Sequence, residues 1–143
     1  MRNLFILFSI LLSSTLASAQ SADAVVGKWL NKGGDAHIQI FKKGKTYAGK
    51  LVWLESPNDD AGKPKRDQNN PISKLNNRPI LGLEIMNGFV FDDGTWENGK
   101  IYDPKSGKTY SCKLSFDGAN KLNVRGFVGI SILGRTDIWS RIK

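Results

Sequence analysis

The segment KTYSCKLSF, residues 108–116, places Tyr110, Cys112, Leu114 and Phe116 on one side of an extended chain and Ser111, Lys113 and Ser115 on the other. A period of two is the mark of a strand with one buried face, and a helix cannot satisfy it. Turns bound the segment: Asp103-Pro104-Lys105-Ser106-Gly107 precedes it, with a proline that pre-sets φ, and Asp117 to Asn120 follows. Beyond that turn Leu122, Val124 and Val128 repeat the parity through Gly126, with Asn123, Arg125 and Phe127 opposite, and Arg135 to Ile142 forms a last strand.

Towards the N-terminus the same logic gives a strand at Thr95 to Tyr102, a turn at Asp92-Asp93-Gly94, and a strand at Leu83 to Phe91 whose Gly88 suggests a bulge or bend. Tyr47 to Leu54 reads as a strand in which Tyr47, Leu51 and Trp53 share parity. It is joined through Lys42-Lys43-Gly44-Lys45 to a strand where Ile38 and Ile40 alternate with His37 and Gln39. Val25 to Leu30 opens the series as a short first strand, and Gly33-Gly34 marks the break after it. Eight short strands with hairpin-length links predict an all-β antiparallel meander, and such a meander closes into a barrel that removes its own edges. No helical period is long enough for a βαβ unit.

One connection breaks the pattern. Glu55 to Asn77, after the third strand, contains Pro57, Pro64, Pro71, Gly62, Asp59-Asp60 and Asn69-Asn70, and is expected to be one long loop. A helical turn capped by Ser73 is expected near Ser73 to Asn76. Asn70-Pro71 fixes a turn, and Arg78 with Asp67 forms a candidate clamp holding the loop to the barrel mouth, because a guanidinium matches a carboxylate as a planar fork. Two solvated charges, or an Arg78 contact to an anionic ligand, are the competing readings.

Residues 1–19 stand apart from the fold. Arg2, the apolar run Leu4 to Leu12 and the small residues Ala17-Ser18-Ala19 read as an export signal cleaved before Gln20, leaving a single domain over residues 20–143. As a helix, that run of nine residues spans about 14 Å at roughly 1.5 Å per residue, short of a roughly 30 Å hydrocarbon core. The mature protein is therefore expected to have no transmembrane span and to be periplasmic or secreted. With Cys112 the only cysteine, no intramolecular disulfide can form, and packing alone must hold residues 20–143 once exported.

The formal charge of +8, one unit of it from Arg2, suits an anionic surface. The basic residues are scattered and no stacking platform accompanies them, which argues against nucleic acid.

Gly27-Lys28-Trp29 on the first strand, answered by Trp139-Ser140-Arg141 on the last, resembles the lipocalin and fatty-acid-binding superfamily of small barrels. A longer resemblance is to the family of small exported bacterial proteins with domain of unknown function 2147. It runs through Asp67 with Asn70-Pro71, Arg78 with Leu81-Gly82, Trp96 with Gly99-Lys100-Ile101-Tyr102-Asp103-Pro104, Gly107-Lys108-Thr109-Tyr110, and Arg125-Gly126-Phe127. The resemblance implies an eight-stranded lipocalin-like barrel and favours a small apolar ligand without supplying a reaction.

In a closed meander Trp29 would seal one end of the interior beneath Arg141. The candidates for ligand binding or barrel closure are Trp29, Tyr47, Trp53, Arg78, Glu84, Trp96, Tyr102, Tyr110, Arg125, Trp139 and Arg141. The aromatic residues offer apolar area with polar tips, although a small core without disulfides has the same need of them. Glu84 and Arg125 stand out as charges inside apolar strands.

No catalytic residues are assigned. His37 and Cys112 could form a nucleophilic pair only against their predicted parity, and Glu84 with Glu97 is one of many possible carboxylate pairs. No cofactor is expected, and Asp92-Asp93 and Asp59-Asp60 lack the spacing of a metal site. The expected activity is binding or carriage of a small apolar or amphipathic molecule, lipid-derived molecules being one option. The competing reading is a filled barrel that binds an envelope protein or an anionic surface.

Overall fold

The computed structural model describes residues 21–143. The leader expected at Met1 to Ala19, and its cleavage before Gln20, lie outside the described residues. Eight strands follow in chain order: β1 (Gly27–Leu30), β2 (Ala36–Lys43), β3 (Thr46–Leu54), β4 (Glu84–Asp92), β5 (Thr95–Asp103), β6 (Lys108–Phe116), β7 (Lys121–Phe127) and β8 (Arg135–Arg141). Each pairs antiparallel with the next, and β8 returns to β1 through Trp29↔Arg141 and Leu30↔Ser140, closing the barrel. Among the described residues every strand therefore has a neighbour on both sides.

The clearest alternation in the sequence is kept throughout. Cys112 and Leu114 are buried and pair with Gly99 and Trp96 of β5 and with Gly126 and Val124 of β7, which fixes the inner face of three strands. Asp93 and Gly94, at φ 47° and 87°, form the two-residue left-handed turn that a tight hairpin demands.

Several expectations need correction. Val25 is not in the first strand: Ala22–Val25 is a 3-10 turn, and Val25 is fully buried under the barrel. Trp53 does not share the face of Tyr47 and Leu51. His37 pairs with Trp53 while Ile38 pairs with Leu51, so Val52 is an extra residue in β3 that turns Trp53 outward, leaving it 40% exposed. Val128 lies beyond β7 and is exposed. The helical turn at Ser73–Leu75 is not capped by Ser73; instead Asn70 Oδ1 accepts the Ile72 N–H at 2.8 Å. The long connection also runs on to Leu83, because Gly82 and Leu83 bond with Leu51 beside the sheet before β4 begins.

The barrel has two unlike ends. The base carries the 22–25 turn and the tight β2–β3, β4–β5 and β6–β7 turns. The mouth carries the β1–β2 turn, the long loop, the β5–β6 turn and the 128–134 loop. Side chains fill the lower interior. A Cβ on Gly99 would lie 2.1 Å from the Phe89 ring, and one on Gly49 2.9 Å from Met86 Sδ, so both glycines are there to admit large neighbours.

Candidate functional site

At the base the chain plugs its own barrel. Trp29 Nε1 donates to the Val25 carbonyl at 2.9 Å, Trp96 Nε1 to Ala22 at 3.0 Å, and Arg141 Nη2 to Ala24 at 2.9 Å. These bonds satisfy the carbonyls of a short turn that is half inside the core. The Arg141 guanidinium lies 4.4 Å from the centre of the Trp29 ring and 5.7 Å from that of Phe116. Gly27 keeps room for it, since a Cβ there would meet Arg141 Nη1 at 3.2 Å. Tyr47 donates its hydroxyl to Asp23, and burial together with that carboxylate pushes the phenol up to about 12. Trp29, Trp96, Tyr47 and Trp139 are all buried, and the first three hold the base together through these bonds.

At the mouth the long loop is built around Asp67, which is fully buried. The carboxylate accepts Tyr102 Oη at 2.5 Å, Arg78 Nε at 2.8 Å and Asn70 Nδ2 at 2.9 Å. Burial pushes Asp67 upward, but the bonds from Tyr102, Asn70 and Arg78 outweigh it and hold the carboxyl below its ordinary value. Tyr102 is pushed up to about 12, first by burial and then by Asp67. The loop folds on itself through Asp67 N–H to Arg78 O and Ile80 N–H to Lys65 O, while Asn69 Nδ2 reaches the Pro104 and Lys105 carbonyls. Arg78, Asp67, Asn70 and Tyr102 therefore form one structural cluster, with Pro71 at its edge.

Two residues singled out as charges within apolar strands are not buried ones. Glu84 lies on the outer wall, paired with Lys43 at 2.9 Å and about one-third exposed, because the register sets it opposite Lys50 rather than inside. Arg125 also lies on the outer wall and donates to Ser131 O, Ile132 O and Thr136 Oγ1, which makes it a brace for the 128–134 loop. Trp53 stacks on His37 outside the barrel, with ring centres 4.3 Å apart. Cys112 is buried on the inner side of the wall, where lack of solvation pushes its thiol up to about 12, so the pair His37 and Cys112 is never assembled.

Tyr110 is the candidate left facing the upper interior, opposite Ile101 on β5 and half-buried. Gly126 adjoins it, and a Cβ there would meet Tyr110 Cβ only at an ordinary 3.8 Å. On β8 the register sets Asp137 opposite inward-facing Val124, two residues from buried Trp139. Asp137 Oδ1 is buried and, among the described residues, accepts no hydrogen bond, although Lys32 Nζ lies at 3.7 Å and Arg135 Nε at 3.5 Å. Sequence reading missed Asp137, yet the parity of Trp139 and Arg141 on the same strand points to it.

Outside the barrel, the long loop and the Pro104–Lys105 turn enclose an open basin of ≈ 790 Å³ bearing Asp59, Asp60, Lys63, Lys65, Arg66 and Lys105. Arg66 is committed to the Asn77 carbonyl and Lys105 to Asp35. Among the described residues no group of three or more His, Cys, Asp or Glu side chains is placed to hold a metal ion, and no helix is long and apolar enough to cross a membrane.

Residues 27–141 match the family described as "Uncharacterized protein conserved in bacteria (DUF2147)", and the chain belongs to it. Among solved structures it is similar to protein HP1028 of Helicobacter pylori, described as belonging to the lipocalin family, with a TM-score of 0.71 and 20% identity over 82% of each chain. The shared feature is the eight-stranded lipocalin-like barrel. No curated protein matches the sequence.

Proposed function

We propose that this barrel is an exported binding protein for one small amphipathic, lipid-derived molecule, held in the mouth half of the interior. The reading rests on the contrast between the two ends. Trp29, Trp96 and Arg141 seal the base, whereas Gly126, half-exposed Tyr110 and half-exposed Ile101 leave the upper wall with small or partly uncovered side chains. An apolar body against Ile101 and Tyr110, with a polar end donating to Asp137 Oδ1 beside Lys32 and Arg135, suits that lining. The packed lower interior restricts the ligand to a short one. Residues 1–19 support a periplasmic or secreted setting.

Native mass spectrometry of the protein purified from the export compartment without denaturant tests the reading. The expected result is an adduct that solvent extraction releases. Gly126→Phe should abolish it while the barrel still folds, because Gly126 is not at positive φ and a Cβ there meets nothing closer than 3.8 Å. A wild-type mass that is always unliganded, or an adduct indifferent to Gly126→Phe, refutes the proposal.

A further inference from the structure

The connection between β7 and β8 reads VGISILG, residues 128–134, and contains no charged side chain. Val128, Ile130, Ile132 and Leu133 are 74%, 59%, 79% and 76% exposed. Scattered apolar residues on a surface need no account, but four in one short loop form a patch.

This exposure is not the looseness of a tip without internal bonds. The Arg125 guanidinium holds the Ser131 carbonyl at 2.8 Å and the Ile132 carbonyl at 3.3 Å. Gly134 lies so close to β7 that a Cβ on it would come within 2.6 Å of the Gly126 carbonyl oxygen. The polar backbone is drawn in towards the barrel while the aliphatic tips point away from it. Around the patch Arg135 and Lys32 flank a single carboxylate, Asp137, while Arg125 on the outer wall donates to Thr136 Oγ1, and the whole chain is strongly positive. An apolar tip collared by cations is complementary to a bilayer with anionic headgroups: the cations meet phosphate while the side chains enter the acyl boundary.

We propose that residues 128–134 dock this protein on an anionic phospholipid membrane, with Val128, Ile130, Ile132 and Leu133 inserted about 5–10 Å and Arg135 and Lys32 at headgroup level. Docking of this kind does not depend on what the lumen holds, so an empty or filled interior would leave it standing.

The test is flotation with vesicles of equal parts phosphatidylglycerol and phosphatidylcholine. It uses residues 20–143, since every described strand, the base plug and the described core lie within that span. The protein should float, float less with phosphatidylcholine alone, and be partly released by high salt. Ile132→Asp with Leu133→Asp should cut binding by more than about tenfold, whereas Val90→Asp, on the exposed face of β4, should leave it unchanged. An environment-sensitive dye on Ile132→Cys, selective because Cys112 is buried, should shift to the blue on vesicles.

Three results overturn the proposal. One is wild-type protein that stays unbound, and another is a double-aspartate variant that floats like wild type. The third is a dimer in vesicle-free buffer that the double variant converts to monomer, which would make a second copy the occupant of the loop.

Discussion

Asp67 shows what a single side chain can fix in this fold. A carboxylate only accepts hydrogen bonds, and here three donors from three parts of the chain converge on it: Tyr102 from β5, and Asn70 and Arg78 from either end of the loop's inner turn. Asp67→Asn would turn an amide N–H₂ towards at least one of those donors, and a loss of about 3 kcal/mol in urea denaturation is expected. The single and double variants with Arg78→Ala should show a coupling of about 1–3 kcal/mol rather than additive losses. The pH dependence has a definite sign. Asp67 is held below its ordinary value, so the unfolded chain binds the proton more readily; its stabilisation is present above about pH 4 and is lost as pH falls through the lower folded value. Tyr102, raised to about 12, loses its contribution as pH rises from about 10 towards that value. Stability measured against pH should fall at both extremes in the wild type, and the acid limb should flatten in Asp67→Asn.

Among the elements, the long loop is attached to the barrel chiefly where it crosses the β5–β6 turn. Gly107 has φ 72°, and a Cβ on it would come within 1.9 Å of the Asn69 carbonyl oxygen. Gly107→Ala should therefore destabilise by about 1–3 kcal/mol and speed amide exchange across residues 67–78. Gly118→Ala provides the control: its φ is 75°, but nothing lies within 4 Å, so it carries backbone strain without a clash. Elements were legible wherever alternation ran unbroken, as in β6, and obscure wherever a bulge shifted it. Val52 reversed Trp53, and the β3–β4 irregularity set Glu84 on the outer wall. Asp67 with Arg78 could be read as a candidate clamp because a guanidinium matches a carboxylate as a planar fork. Tyr102 as the third partner could not, since it arrives from a strand 35 residues away. The brace formed by Arg125 escaped sequence reading because its acceptors are backbone carbonyls, which leave no trace in side-chain identity.

The barrel as a whole closes at its shortest pairing. The β1–β8 junction has two paired positions, Trp29↔Arg141 and Leu30↔Ser140, against six for β7–β8. Arg141 therefore joins the two strands, the base turn and the Trp29 ring at once. Arg141→Ala is expected to cost about 3 kcal/mol, with hydrogen exchange showing β1 and β8 opening ahead of β5 and β6. The pairing of first strand with last was legible from tryptophan and arginine at the two chain ends, whereas the plug beneath them was not, because residues 22–25 offer only short side chains.

The same junction also gives the molecule a direction. Ser21 and Ile142 both lie at the plugged end, the latter tied to Lys28 through its amide at 2.9 Å, while residues 128–134 project from the opposite rim. Anything fused at Ser21 or beyond Ile142 hangs from the floor of the cup. A barrel tethered in that way would stand with its apolar tip aimed away from the tether. A barrel without a tether is free to turn its rim towards whichever surface it meets.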